Sequence, residues 1–168
     1  IVSCDITNDD VSPSLTLNKI VINDNGGTAL ESAWTLTASG LTPISGPGAP
    51  GAADVVSGAT FSAGTYALSE SVGSSGYASS TWSCVGGEQN GANITLALGQ
   101  SATCTITNND ISPQLTVIKH VINDNGGNND AADFTMNVTG TNVSDPSFAG
   151  AENPGTTVTL NQGAYSVD

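Results

Sequence analysis

Apolar and polar residues alternate along many short stretches of the chain, and glycine- or proline-rich turns separate these stretches. Successive side chains of a β-strand point to opposite faces, so this alternation predicts strands that bury one face. Seven or so short strands within about a hundred residues predict an all-β fold of immunoglobulin-like sandwich type. The predicted strands lie near 14–22, 32–38, 59–62, 65–71, 77–84, 93–98 and 102–108.

The pattern also repeats along the chain. Segment 15–27 reads LTLNKIVINDNGG and returns at 115–127 as LTVIKHVINDNGG, while segment 4–10 returns at 104–110. A period of 100 residues is the size of a whole domain, and the Ser-Pro pair at 112–113 provides a short, stiff linker.

We therefore expect tandem domains of one type. Residues 1–10 would be the last strand of a preceding domain, 11–110 one complete domain, and 111–168 the first part of a following domain. We expect the sequence to be an excerpt of a longer array and not a case of strand donation between neighbouring molecules. The last domain would lack several strands, and the ten N-terminal residues could supply only one.

Charge narrows the range of partners. The chain has a formal net charge of -13, no arginine, and only two lysines, Lys19 and Lys119. Nucleic acids and anionic lipids bind through basic residues, so this composition argues against both. No run of about 18 apolar residues is present, which argues against membrane insertion within this stretch.

Each lysine falls at the same place in its repeat and on an apolar face. Lys19 shares its face with Leu15 and Leu17, and Lys119 shares its face with Leu115 and Val117. The same alternation of side chains along two other predicted strands places Glu70 and Asn108 on the faces that those strands bury.

Burial of these three groups suggests a reaction. Desolvation lowers the pKa of a lysine and raises that of a glutamate, and a neutral amine is a nucleophile. Attack of Lys19 on the carboxamide of Asn108, with loss of ammonia, would leave an isopeptide bond. Glu70 would act as the catalytic proton shuttle.

The same residues carry a family resemblance. The segment GTYALSESVGSSGY at 64–77 resembles the glutamate-containing box of the Cna protein B-type (SpaA, prealbumin-like) repeat domains of bacterial surface adhesins and pilins. Lys19 resembles their first-strand lysine and Asn108 their final-strand asparagine. The resemblance implies prealbumin-like sandwiches with a spontaneous Lys19–Asn108 isopeptide catalysed by Glu70.

The sequence departs from the family pattern at two points, and two residues, Asn8 and Lys119, would have their bonding partners outside the chain. Ser75 stands where the family usually has a proline, and the chain adds a cysteine pair. By the same alignment, Asn8 would join a lysine of the preceding domain. Lys119 would await an asparagine and a glutamate beyond residue 168.

Plainer interpretations compete with the isopeptide. Lys19 could be an edge-strand lysine with its ammonium in water, Glu70 could face solvent, and Asn108 could belong to a turn. The acidic turns at 23–27 and 123–130 could bind calcium, although they lack the spacing of a calcium loop. We expect turns there, with no metal and no cofactor.

The three cysteines are predicted to include one disulfide, Cys84 to Cys104, within the complete domain. Cys4 matches Cys104, so its partner would belong to the preceding domain. Disulfides are typical of extracellular proteins.

The sequence thus predicts a non-enzymatic structural protein of the cell exterior, a stalk or fibre of stapled domains. Its partners would be neighbouring domains or subunits of the same fibre. An adhesin-type module that binds a host-surface protein or glycan through its loops is the alternative, and repeats that space a secreted hydrolase are a third.

Overall fold

The computed structural model describes residues 2–168, whose regular structure is almost entirely β-strand. The chain forms two compact units. One contains the residues up to 22 together with 29–109, and the other contains 23–28 together with 110–168. Three short 3-10 helices accompany the strands, at Glu31–Ala33, Ala53–Val55 and Ala131–Asp133.

The first unit is built from two sheets. The strands of one are β1 (Ser14–Ile22), β5 (Tyr77–Ser79), β6 (Ser83–Val85) and β9 (Ser101–Asp110), of which Asp110 belongs to the second unit. Its order is β1-β9-β5, with β6 also paired to β9. The strands of the other sheet are β2 (Thr35–Ser39), β3 (Ile44–Pro47), β4 (Gly64–Glu70), β7 (Glu88–Asn90) and β8 (Asn93–Leu96), in the order β3-β2-β4-β8-β7.

The first and last strands of this unit are direct neighbours. Strand β1 pairs with β9 in parallel, with Lys19 opposite Ile106 and Val21 opposite Asn108. The two strands that would carry the predicted bond therefore run side by side.

A single hydrophobic core joins the two sheets. Alternate residues of β1, β2, β4, β8 and β9 are buried, as a period of two requires for half-buried strands. Burial of each large aliphatic or aromatic side chain contributes about 1.5–3 kcal/mol. The cluster comprises Leu15, Leu17, Leu36, Ala38, Val55, Phe61, Tyr66, Leu68, Trp82, Ile94, Leu96, Ala102, Cys104 and Ile106.

Two strand predictions for this unit need correction, and two strands were missed. Residues 59–62 form a turn and loop instead of a strand, although Phe61 is buried and stacks on Tyr66 with ring centroids 4.5 Å apart. The predicted strand 77–84 is interrupted between β5 and β6. Strands β3 and β7 were not predicted, because glycine, proline and polar residues dominate their sequences.

The second unit contains five further strands. They are β10 (Gln114–Val117), β11 (Thr135–Thr139), β12 (Ser147–Ala149), β13 (Thr156–Thr159) and β14 (Ser166–Val167). Strand β10 pairs with β13, and β11 pairs with both β12 and β14. Val138, Val158 and Leu160 are among its buried residues.

The N-terminal segment carries no strand. Residues 2–12 are exposed and residues 2–13 have no regular structure, and Ile1 of the predicted strand 1–10 lies outside the described residues. The predicted boundaries 1–10, 11–110 and 111–168 stay a prediction.

Candidate functional site

Lys19 lies inside the first unit. It belongs to β1, whose inward face also carries Leu15 and Leu17, and its side chain is 0% exposed. Strand β1 lies at the edge of its sheet, as the alternative interpretation expected, but the ammonium of Lys19 is not in water, so that part of the interpretation is wrong.

Glu70 is the charged partner of Lys19. It ends β4 on the face that also carries the buried Tyr66 and Leu68, and its side chain is 13% exposed. Its Oε2 atom lies 2.9 Å from the Nζ atom of Lys19. The strand-end glutamate thus points into the sandwich and not into solvent.

Asn108 completes a three-residue cluster. It lies in β9, two residues beyond the one opposite Lys19, so both side chains project from the same face of neighbouring strands. Its Nδ2 atom lies 3.5 Å from Oε2 of Glu70, at the long limit of a hydrogen bond. Its Oδ1 atom is buried and has no hydrogen-bond partner among the described residues.

Burial affects the pKa of Lys19. Desolvation lowers the pKa of Lys19 below its ordinary value, and the hydrogen bond and charge of Glu70 oppose this effect without reversing it. A lowered pKa increases the fraction of neutral amine, which is the nucleophilic form. The cluster therefore places an amine of lowered pKa and a carboxyl group beside a carboxamide.

An aromatic wall and a glycine hold the lysine in place. The Nζ atom of Lys19 lies 4.8 Å from the ring centroid of Trp34, within cation–π range. A Cβ atom on Gly48 would lie 2.8 Å from both Cβ of Lys19 and the carbonyl oxygen of Glu31. Only glycine fits this close approach, and sequence reasoning missed both Trp34 and Gly48.

The second unit repeats this surrounding for Lys119. Its Nζ atom lies 4.3 Å from the ring centroid of Phe134, and Gly150 stands against its stem as Gly48 does against Lys19. Within residues 2–168, no side chain forms an ion pair or hydrogen bond with the Lys119 ammonium. Asn8, the other residue whose predicted partner lies outside the chain, is exposed.

The cysteines are placed as the sequence predicts. Cys84 in β6 and Cys104 in β9 face each other across the strand pair and form a disulfide, with Cα atoms 4.0 Å apart. Cys4 is exposed and free.

Asp110 has a structural role that sequence reasoning missed. Its carboxylate accepts hydrogen bonds from the backbone N–H groups of Asp24, Asn25 and Gly27. Burial raises the pKa of Asp110, but these donors lower it further, so the pKa lies below its ordinary value. Asp10 and Asp110 occupy matching positions of the repeat, as the two NDNGG turns do, and this recurrence was the available signal.

Neither a metal centre nor a spanning helix is found in the described part of the chain. No group of three or more His, Cys, Asp and Glu side chains in residues 2–168 is placed to hold a metal ion. The helices described are all too short to cross a membrane.

The fold and the cluster define a class of protein: an all-β domain with a lysine, a glutamate and an asparagine buried between its sheets. A family model described as a prealbumin-like fold domain of the SpaA type matches residues 10–106 and 110–168. The chain belongs to this family, as the resemblance implied. Neither the curated proteins nor the solved structures include a match.

Proposed function

We propose that this chain is part of an extracellular surface fibre or stalk, made of tandem prealbumin-like domains that each staple their first strand to their last. Family membership supports a structural role at the cell surface. The two matched segments and the repeated lysine surroundings support a tandem arrangement.

The observation that carries the proposal is the contact of both Lys19 and Asn108 with one carboxylate oxygen, Oε2 of Glu70. In the proposed reaction, the neutral Nζ of Lys19 attacks Cγ of Asn108, and a C–N bond forms. The bond from Cγ to Nδ2 then breaks, and ammonia leaves. Glu70 takes a proton from the attacking amine and delivers it to the departing nitrogen.

The reaction occurs once per domain, so the protein is a self-processing structural protein and not an enzyme with turnover. The bond would connect β1 directly to β9, which are the strands nearest the two ends of the domain. Tension would then pass through covalent bonds and bypass the sheets. Neighbouring domains or subunits of the same fibre are the proposed partners.

Intact-mass measurement of the purified chain tests the reaction. Loss of one ammonia lowers the mass by ~17 Da for each completed bond. We expect one such loss, at Lys19 and Asn108, because Lys119 has no carboxamide partner within the described residues.

The matched control is Glu70→Ala, which keeps both reacting residues and removes the proton shuttle. We expect this variant to fold and to show the full unreacted mass. An unshifted mass in a folded wild-type chain contradicts the proposed reaction.

A further inference from the structure

A pocket of about 470 Å³ opens beside the cluster. We call it the Trp34 pocket. Its wall includes Trp34, Tyr77, Glu70 and Asn108, and the remaining wall comes from the 71–75 loop and Ser79. Because Glu70 and Asn108 both line it, the pocket connects two of the three members of the cluster with solvent.

One polar side chain of the pocket, Asn108, is buried without a full set of hydrogen bonds. Asn108 is 3% exposed, yet its Oδ1 atom has no hydrogen-bond partner among the described residues. A buried acceptor without a donor is unfavourable, and Asn108 lines the pocket, so an N–H donor that enters the pocket is suited to this oxygen.

The remaining walls suit an ammonium or amine group. Glu70 offers a carboxylate, and Trp34 offers an aromatic face that already lies 4.8 Å from the Lys19 ammonium. Tyr77 packs edge-on against Trp34 with ring centroids 5.3 Å apart, which adds a second aromatic surface. Carboxylate, carbonyl oxygen and aromatic faces are the groups that recognise small cations of this kind.

We propose that the Trp34 pocket is a binding site for small primary amines. The ammonia released from Asn108 leaves through this pocket, and external amines can enter it. This inference rests on the proposed isopeptide reaction and names its exit route and its second substrate class. Lys19 is the built-in amine, and a small free amine is its chemical equivalent.

The step with an external amine balances in the same way as the internal one. The amine nitrogen forms a bond to Cγ of Asn108, the bond from Cγ to Nδ2 breaks, and ammonia leaves with the proton that Glu70 transfers from the attacking nitrogen. Lys19 does not line the Trp34 pocket, so the pocket is open in the wild-type chain. Truncation of Lys19 would extend it into the space against Trp34 and Glu70 that the lysine side chain occupies.

The test is chemical rescue of Lys19→Ala with methylamine, followed by intact-mass measurement and peptide mapping. Replacement of the Asn108 amide by an N-methyl amide raises the mass by ~14 Da. We expect most folded chains to gain this mass at Asn108. Trimethylamine, which has no N–H to lose, and the double variant Lys19→Ala with Glu70→Gln should both give no adduct.

A second measurement uses the wild-type chain, so that the test does not depend on the folding of Lys19→Ala. Titration with methylammonium chloride should shift the indole N–H resonance of Trp34 in a saturable manner, while Trp82 in the core stays unchanged. Sodium chloride at equal ionic strength is the control.

The outcomes separate the two proposals. A wild-type chain that loses ~17 Da, together with a folded Lys19→Ala that gains no methylamine, overturns the amine site and leaves the isopeptide intact. Absence of a selective Trp34 shift also overturns it. A wild-type chain without the loss removes the proposed function itself.

Discussion

Among single residues, the buried Lys19–Glu70 pair has a role in the proposed reaction that goes beyond stability. A buried ion pair often contributes little net stability, because desolvation of both charges offsets their attraction. Here the same desolvation lowers the pKa of Lys19, and in the proposed reaction this would favour the neutral amine that attacks. The unpartnered Oδ1 atom of Asn108 lies at the group that would be attacked.

Asp110 gives a prediction about acid. The folded-state pKa of its carboxyl lies below the unfolded value of ~3.9, because backbone N–H donors stabilise the charged form. Its contribution to stability is therefore complete above the unfolded pKa and is lost as the pH falls through the folded pKa. We expect Asp110→Asn to lower the urea midpoint at pH 7 and to converge with wild type in acid.

Circular dichroism in urea at several pH values checks this prediction. Hydrogen exchange at the amides of Asp24, Asn25 and Gly27 provides the local control, because these donors should lose protection in the variant. A difference in midpoint that stays constant from neutral to acid pH would show that the charge of Asp110 is not responsible.

At the scale of strands, the disulfide joins β6 to β9 across 20 residues of sequence. A constraint on a loop of this length stabilises the folded chain by ~3 kcal/mol, mainly by limiting the unfolded state. We expect the double variant Cys84→Ser with Cys104→Ser to lose about this free energy of unfolding, measured with urea.

Reduction of the wild-type chain should reproduce the loss and serves as the control. If reduction leaves the urea midpoint unchanged, the disulfide does not constrain the unfolded chain. Each comparison must be made with the isopeptide state checked by mass, because that bond would constrain the same strands.

How far the sequence predicts this fold depends on the kind of strand. Strand β1 has the predicted bounds, 14–22, because alternating apolar residues mark its buried face. Face counting also put Lys19, Glu70 and Asn108 inside the sandwich. It could not find β3 or β7, which are edge strands of glycine, proline and polar residues with little alternation.

The same limit applies to the site. The alternation of residues along a strand indicates which side chains point inward, but it does not indicate which loop covers them. Trp34 lies just before β2, and Gly48 lies just after β3, so their contacts with Lys19 depend on tertiary packing that no period reveals.

In the molecule as a whole, the two units share specific side-chain contacts in addition to a similar pattern of strands. Gly40 packs against the ring of Tyr66, and Gly140 packs against the ring of Tyr165 in the same manner. Each tyrosine hydroxyl donates to a backbone carbonyl four residues before it, at Ser62 and Asn161. The sequence repeat is thus a repeat of packing as well.

A covalent link between Lys19 and Asn108 predicts how a domain responds to force. With the link in place, the roughly 90 residues between them would be shielded from tension. Without the link, unfolding of these residues would lengthen the chain by ~30 nm. We expect single-molecule pulling under reducing conditions to show this step in Glu70→Ala and not in wild type. A ~30 nm step in the wild-type chain contradicts the proposed load path.

Tryptic digestion of the reduced and denatured chain shows whether Lys19 is bonded to Asn108. Trypsin cuts after cationic lysine or arginine, and Lys19 and Lys119 are the only such residues in this sequence. If Lys19 is bonded to Asn108, its charge is gone and only the bond after Lys119 is cut. We expect two fragments, 1–119 and 120–168, from the wild-type chain, and three fragments, 1–19, 20–119 and 120–168, from Glu70→Ala. Release of a free 1–19 fragment from the wild-type chain would contradict it.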